Sequence, residues 1–224
     1  MLSQPHSAGA LRLIHGFWSE PFHGIPPCGD AAAMVDDEHE SWLLVLDAIG
    51  HGLSAAQIAH RLVVTFQHLV SSQPRHVGMT PSVLLGLLHR QLGNSKQDEQ
   101  AAVGLFHFNR SNTQLDAVLV GNLEAMLLTP KGCSRLHSQN GMVGGRLPQR
   151  LQTQSHALSH DSVLAVFSDG IRLREAAAVL PQHVYGDRGT QSLSVLARAL
   201  VHDYRRDYDD SCCALVWAQR LSHD

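Results

Sequence analysis

Four aspartates stand where a folded chain rarely leaves a carboxylate without a purpose. Asp47 closes the apolar run Ser41-Trp-Leu-Leu-Val-Leu-Asp47 and is followed by Gly50-His-Gly52. Asp169 closes the apolar run 162–168 and begins Asp169-Gly170, Asp209-Asp210 leads into the apolar run 212–217, and Asp30 follows Cys28-Gly29. Singly, each has an ordinary reading. Asp-Gly is a common turn dipeptide, and an aspartate at a strand end is often a cap or a solvated edge. Together they gather carboxylates at the strand ends of a domain with a large core, where their repulsion needs compensation. Hard divalent cations supply it, because magnesium and manganese prefer oxygen donors and keep several waters. Two such ions about 4 Å apart can activate a bridging water and stabilise phosphoryl oxygens during in-line displacement. This chemistry permits a two-metal phosphohydrolase without selecting one.

The elements that must position these residues follow from hydrophobic period and punctuation. Residues 11–18 alternate as a first strand, and the turn-rich stretch 21–29 follows it. The run 41–47 predicts a buried strand delivering Asp47 to its end. Ser54 is the expected N-cap of an amphipathic helix over 55–70, where Ile58, Leu62, Phe66 and Leu69 recur at helical spacing. Thr80-Pro81 predicts the start of a second helix reaching about Leu92, closed by the polar stretch 93–99. Residues 101–109, 114–120 and 124–129 then predict three short strands forming an antiparallel meander, followed by a glycine-rich loop over 141–148. A strand over 162–168, helices over 173–180 and 191–203, and a strand over 212–217 complete the pattern. This order does not alternate as a doubly wound fold would, so an antiparallel sheet system covered by helices is expected, in one domain over 1–224 with its core at about 11–219.

Bulk properties narrow the function classes. With 224 residues, 44% hydrophobic and 17% charged, the chain can bury a sizeable core. A formal net charge of −3 gives no general drive toward nucleic acid or an anionic membrane, and no run of 18 apolar residues is present to span a bilayer. The N-terminus lacks a secretory pattern, and the four cysteines (28, 133, 212, 213) show no CxxC spacing, so free thiols in the cytoplasm are expected. The 16 histidines include no HExxH and no zinc-type cluster, which disfavours a histidine-built metal site.

Selection among these chemistries comes from four motifs in order. Cys28-Gly-Asp30, Asp47-Ala-Ile-Gly-His-Gly-Leu-Ser-Ala-Ala56, Phe167-Ser-Asp-Gly170 and Asp209-Asp-Ser-Cys212 resemble the GGD, D-V-x-G-H-G-x-x-A-A, T-D-G and D-D-x-T set of the SpoIIE-like branch of metal-dependent serine/threonine protein phosphatases. Val120-Gly-Asn-Leu-Glu124 and Gly141-Met-Val-Gly-Gly-Arg-Leu-Pro148 are similar to its single-domain stressosome members. The resemblance implies an α+β fold of two stacked antiparallel β-sheets flanked by helices, with manganese or magnesium, two ions, in the cleft at one end. It implies that Asp47 bridges both metals, joined by the backbone carbonyl of Ala48, that Asp30 holds one ion mainly through water, and that Asp169 and Asp209 hold the other, with Asp210 as alternative to Asp209. It further implies direct attack of metal-activated water on phosphoserine or phosphothreonine, without a phosphoenzyme, on a phosphorylated STAS-domain protein, as a reset of a stress signal.

Departures are local. Cys28 replaces the first glycine of the first motif and Cys212 the threonine of the last; neither position is a ligand, so tuning rather than loss is expected. For His51, four residues past Asp47, a turn role is weighed above a general-acid one. No motif places a phosphate-clamping arginine, and Arg146 and Arg172 are the candidates by position. Two other functions stay open: a non-catalytic binding module on the same fold, and a hydrolase of small phosphoesters. The first would show lost carboxylates, and none is missing. The second would show a nucleotide loop, and neither GxxxxGK[ST] nor GxGxxG occurs.

Overall fold

A computed structural model describes residues 11–72, 78–93, 99–186 and 192–220. Among these, the chain forms β1 (Leu11–Glu20), β2 (Asp30–Asp36), β3 (Glu40–Ala48), α1 (Gly52–Ser71), α2 (Pro81–Gly93), β4 (Ala101–Asn109), β5 (Gln114–Val120) and β6 (Glu124–Thr129). It continues through β7 (Gly132–Leu136), β8 (Gln154–Ala157), β9 (Ser162–Phe167), α3 (Leu173–Tyr185), α4 (Leu193–Tyr204) and β10 (Ser211–Arg220). The strands make two five-stranded antiparallel sheets, ordered β1-β10-β9-β6-β7 and β2-β3-β4-β5-β8. The expected fold of two stacked sheets flanked by helices is met.

Period-2 alternation builds the layers. On β3, Leu43 and Val45 face the other sheet and, with Phe106 and Leu119 of their own sheet, join Leu164, Val166, Ala214 and Val216 of the opposite one in one buried cluster. Their neighbours Trp42, Leu44 and Leu46 face outward and are covered by Ile58, Leu62 and Phe66 of α1 and Leu84, Leu85 and Leu88 of α2. Val163, Ala165 and Phe167 of β9 are covered in the same way by α3 and α4. Each fully buried Leu, Val or Phe contributes about 1.5–3 kcal/mol of transfer free energy, so the helices are held chiefly by these faces.

Several expectations need correction. Residues 30–36 form β2, because the alanine-rich stretch pairs along its whole length with β3, from Asp30↔Asp47 to Asp36↔Ser41; pairing overrides weak local propensity. The expected three-strand meander is split: β5 pairs with β4, whereas β6 pairs with β7 and β9 in the opposite sheet. Both β5 and β6 are buried on both faces, so neither announces its layer. Edge strands β7 and β8 carry polar, largely exposed sequences and are defined by backbone pairing alone. Helix α1 begins at Gly52 with His51 at its N-cap position, so Ser54 lies inside the first turn rather than capping it. Thr80 does cap α2, its hydroxyl accepting from Val83 N–H at 3.3 Å. α3 runs past Pro181 to Tyr185, beyond the expected stop at Leu180. Gln191 and residues 94–98, included in the expected α4 and in the polar stretch after α2, lie outside the described residues.

Candidate metal centre

Alternation carries the buried face of β3 from Leu43 and Val45 to Asp47, at the open end of the inter-sheet layer. Asp30 is its direct cross-strand partner and shares that face. From the other sheet, Ser168-Asp169 continues β9 and Asp209-Asp210 leads into β10, two strands that pair with each other. Two hairpin-like ends, one from each sheet, thus bring Asp30, Asp47, Asp169 and Asp209 to one end of the sandwich.

Close backbone packing makes this possible. A Cβ on Gly29 would stand 2.6 Å from the Ala55 Cβ and 3.0 Å from Asp210 Oδ2, and one on Gly170 would stand 1.9 Å from the Asp210 carbonyl oxygen. The second glycine of the Cys28-Gly-Asp30 motif and the glycine of Ser-Asp-Gly170 are therefore sterically required. The position of Cys28 is half-buried and carries a side chain without such a clash.

The carboxylates differ in their partners. Asp210 is 2% exposed, and its two oxygens accept from Phe22 N–H and Gly29 N–H, each at 2.6 Å. It ties the 21–29 loop to β10, with both oxygens engaged in that task. Asp209 is less buried and accepts only the adjacent Asp210 N–H, at 2.9 Å. Asp169 Oδ2 accepts from the Asn122 amide at 2.6 Å, while its Oδ1, like Asp30 Oδ2, is buried without a hydrogen-bond partner among the described residues.

Electrostatics follow from that crowding. Burial first, then the charge of Asp47, pushes Asp30 well above the usual carboxylate range, against a hydrogen bond from Ser168. Burial, then the charges of Asp169 and Asp209, raises Asp47 to about 7. Asp209 is raised by burial and by Asp169 and Asp210, while the Asp210 N–H and the nearby His51 oppose the rise. The buried Asp30 and the half-buried Asp47, Asp169 and Asp209 face one another and form a donor set that suits a hard divalent cation. Among the described residues no group of three or more His, Cys, Asp or Glu stands ready-closed on a single ion position.

The structure also places residues to which the motifs assigned no role. Asn122, within Val120-Gly-Asn-Leu-Glu124, holds Asp169. Ser168 bonds Asp30 while its hydroxyl accepts the Cys212 N–H at 2.8 Å, stitching the two strand ends together. His51 is exposed and its ring lies 5.0 Å from that of Phe22. Arg172 is not available as a phosphate clamp. Its guanidinium donates to Glu175 at 2.9 Å and to the carbonyls of Arg205 and Asp203 at 2.7 Å each, closing the ends of α3 and α4. Arg146 is exposed on the 141–148 loop.

The family model described as Stage II sporulation protein E (SpoIIE) matches residues 37–216. Phosphoserine phosphatase RsbP of Bacillus subtilis (strain 168) is 25% identical over 141 residues, covering 60% of this chain and 34% of that protein, so the chain spans about a third of that relative's length. Among solved structures, RsbX in complex with magnesium superposes with a TM-score of 0.74 at 18% identity over 92% of this chain and 96% of that one. The phosphatase domain and regulatory fragment of SpoIIE from Bacillus subtilis gives 0.74 at 14% identity, covering 96% and 65%. A chain from work on the bacterial stressosome as a modular system adapted to secondary-messenger signalling gives 0.75 at 23%, covering 92% and 99%. These superpositions show the fold.

Proposed function

The chain belongs to the SpoIIE family, and from that premise we propose that it is a metal-dependent serine/threonine protein phosphatase. The observation that carries the reading is the convergence of Asp30, Asp47, Asp169 and Asp209 from the ends of two sheets, with one buried oxygen each of Asp30 and Asp169 left without a hydrogen-bond partner among the described residues. Asp30, Asp47, the carbonyl of Ala48, Asp169 and Asp209 would hold manganese or magnesium, two ions in this proposal. Asp209 rather than Asp210 takes the last place, because Asp210 spends both oxygens on backbone N–H groups. Bound there, the ions would supply an activated water and offset charge on the phosphoryl oxygens. The protein's own part is positional: Asn122 fixes the Asp169 carboxylate, Ser168 fixes Asp30, and Asp210 holds the 21–29 loop beside the centre.

The substrate proposed is phosphoserine or phosphothreonine on a STAS-domain protein of a stressosome-type pathway, with dephosphorylation resetting the signal. It is supported by the likeness to RsbP, RsbX and a stressosome chain. No helix among the described residues is long and apolar enough to cross a membrane, and action in the cytoplasm without nucleic acid is part of the same proposal. Phosphate release from a phosphorylated STAS-domain protein, with and without manganese, tests it. Wild type should be active only with metal, and Asp47→Asn should lower the rate by about 10²–10³, the scale of losing a preorganised electrostatic group. Metal-independent release, or full activity in Asp47→Asn, would sink the reading.

A further inference from the structure

Seven large apolar side chains are exposed among the described residues, and four border the carboxylates: Ile25 at 70%, Ile49 at 53%, Leu53 at 66% and Tyr208 at 61%. The other three, Val64, Val83 and Val195, sit singly on α1, α2 and α4. Ile49 directly follows Ala48, Leu53 lies in the first turn of α1, and Tyr208 precedes Asp209. Ile25 belongs to the loop that Asp210 holds through Phe22 and Gly29. These segments are bound to one another. Ala48 N–H donates to the Gly29 carbonyl at 3.3 Å, the Phe22 and His51 rings are 5.0 Å apart, and Asp210, two residues past Tyr208, accepts from Phe22 and Gly29 N–H. An acidic centre is thereby bordered by an apolar collar. Scattered apolar residues on a surface are ordinary; a group of them at the rim of one cleft is characteristic of a contact surface.

We propose that Ile25, Ile49, Leu53 and Tyr208 form a docking surface for the folded protein that carries the phosphoresidue, and that they pack on apolar surface flanking that residue. The inference rests on the phosphatase reading and adds to it the surface that separates a protein substrate from a small ester. A phosphorylated side chain is short, so the backbone bearing it must lie across the rim when the phosphoryl group reaches the carboxylates. A small phosphoester reaches the same carboxylates without covering the rim at all. The collar also lies outside the carboxylate cluster, where apolar side chains contribute nothing to holding a cation. Covering each such side chain is worth about a tenfold change in affinity by its apolar area.

The test compares wild type with the triple variant Ile25→Ser/Ile49→Ser/Leu53→Ser, and with each single variant, in manganese. Three probes are used: a folded serine-phosphorylated STAS-domain protein, a short phosphopeptide cut from it, and p-nitrophenyl phosphate. The expected result is a fall of about a thousandfold in the ratio of kcat/KM for the folded protein to kcat/KM for p-nitrophenyl phosphate, about tenfold for each single variant, carried mostly by KM, with the peptide following the small ester. An unchanged ratio, whether both activities fall together or neither falls, overturns the proposal. So does a wild type that hydrolyses p-nitrophenyl phosphate but not the folded protein, because the collar then has no such occupant. Inactivity of wild type on all three probes, in manganese and in magnesium, is a different result: it removes the phosphatase reading itself.

Discussion

Raising the pH should destabilise the metal-free protein, and Asp47 is the residue that makes this measurable. Burial and the charges of Asp169 and Asp209 raise its carboxyl from the usual 3.8 to about 7. A carboxyl raised on folding contributes stability that is present below the unfolded value and lost as pH climbs through the folded one. Moving one carboxyl that far corresponds to about 4 kcal/mol at 1.36 kcal/mol per tenfold change in proton affinity, of which about 2.3 kcal/mol falls between pH 5 and pH 7. Asp47 is only half-buried, and its neighbours can relax, so about 1–3 kcal/mol is the working figure. For a domain of this size that is about 3–10 °C in Tm. The assay is thermal unfolding by circular dichroism at pH 5, 6, 7 and 8 in a chelator, for wild type and Asp47→Asn. The variant stays uncharged, so it should gain on wild type as pH rises and be the more stable at pH 8. His107, whose pKa burial lowers, is common to both proteins and cancels in the difference. Manganese should reverse the order, stabilising wild type by about 2.7 kcal/mol at a hundredfold excess over its dissociation constant. A pH-independent difference between the two proteins, or one that favours wild type at pH 8 without metal, would refute the electrostatic account of the centre.

Three further outcomes follow from contacts at the site. Asp210→Ala removes two charge-assisted hydrogen bonds to Phe22 and Gly29 and should cost about 3–5 kcal/mol in denaturant unfolding, whereas Asp209→Asn should leave stability nearly intact and abolish phosphate release; the reverse pattern would exchange their roles. Asn122→Ala frees Asp169 Oδ2 and should weaken the manganese dependence of activity by about tenfold or more in half-saturating concentration, with unfolding changed by about 1 kcal/mol or less; an unaltered manganese titration would show that Asn122 does not position the ligand. Gly170→Ala would set a Cβ 1.9 Å from the Asp210 carbonyl, and its yield of folded protein and Tm should both fall sharply; a variant with wild-type Tm would contradict the packing described for that turn.

Much of the fold was legible because its strongest signals are local. The apolar run ending at Asp47 and the strands at 101–109, 114–120 and 124–129 carry their own burial in their composition, and the Thr80-Pro81 start of α2 is a local capping device. Strand β2 was not legible. Ala31, Ala32 and Ala33 have little strand preference, and only the ladder to β3 makes them one. Nor were β7 and β8, whose largely exposed residues carry no strand signal of their own. The first turn of α1 was misplaced because His51 occupies the N-cap position without making a side-chain cap bond, leaving Ser54 as the only conventional signal.

The sequence by itself determined which residues are proposed to hold the metal ions. Asp30, Asp47, Asp169 and Asp209 each sit in a short motif, and a motif is a property of neighbours along the chain. Tertiary structure alone decided how they relate. Asp210 and Asp209 are adjacent and chemically identical, yet the partners that occupy Asp210 come from residues 188 and 181 positions away. Arg172 looked free until α3 and α4 closed over its guanidinium, and Asn122 became part of the centre only because β6 crosses to the sheet of β9. The reason is common to all of these cases. With both faces of the central strands covered, alternation no longer reports which layer a strand belongs to, and hydrogen-bond partners are assigned by long-range pairing that no local pattern encodes.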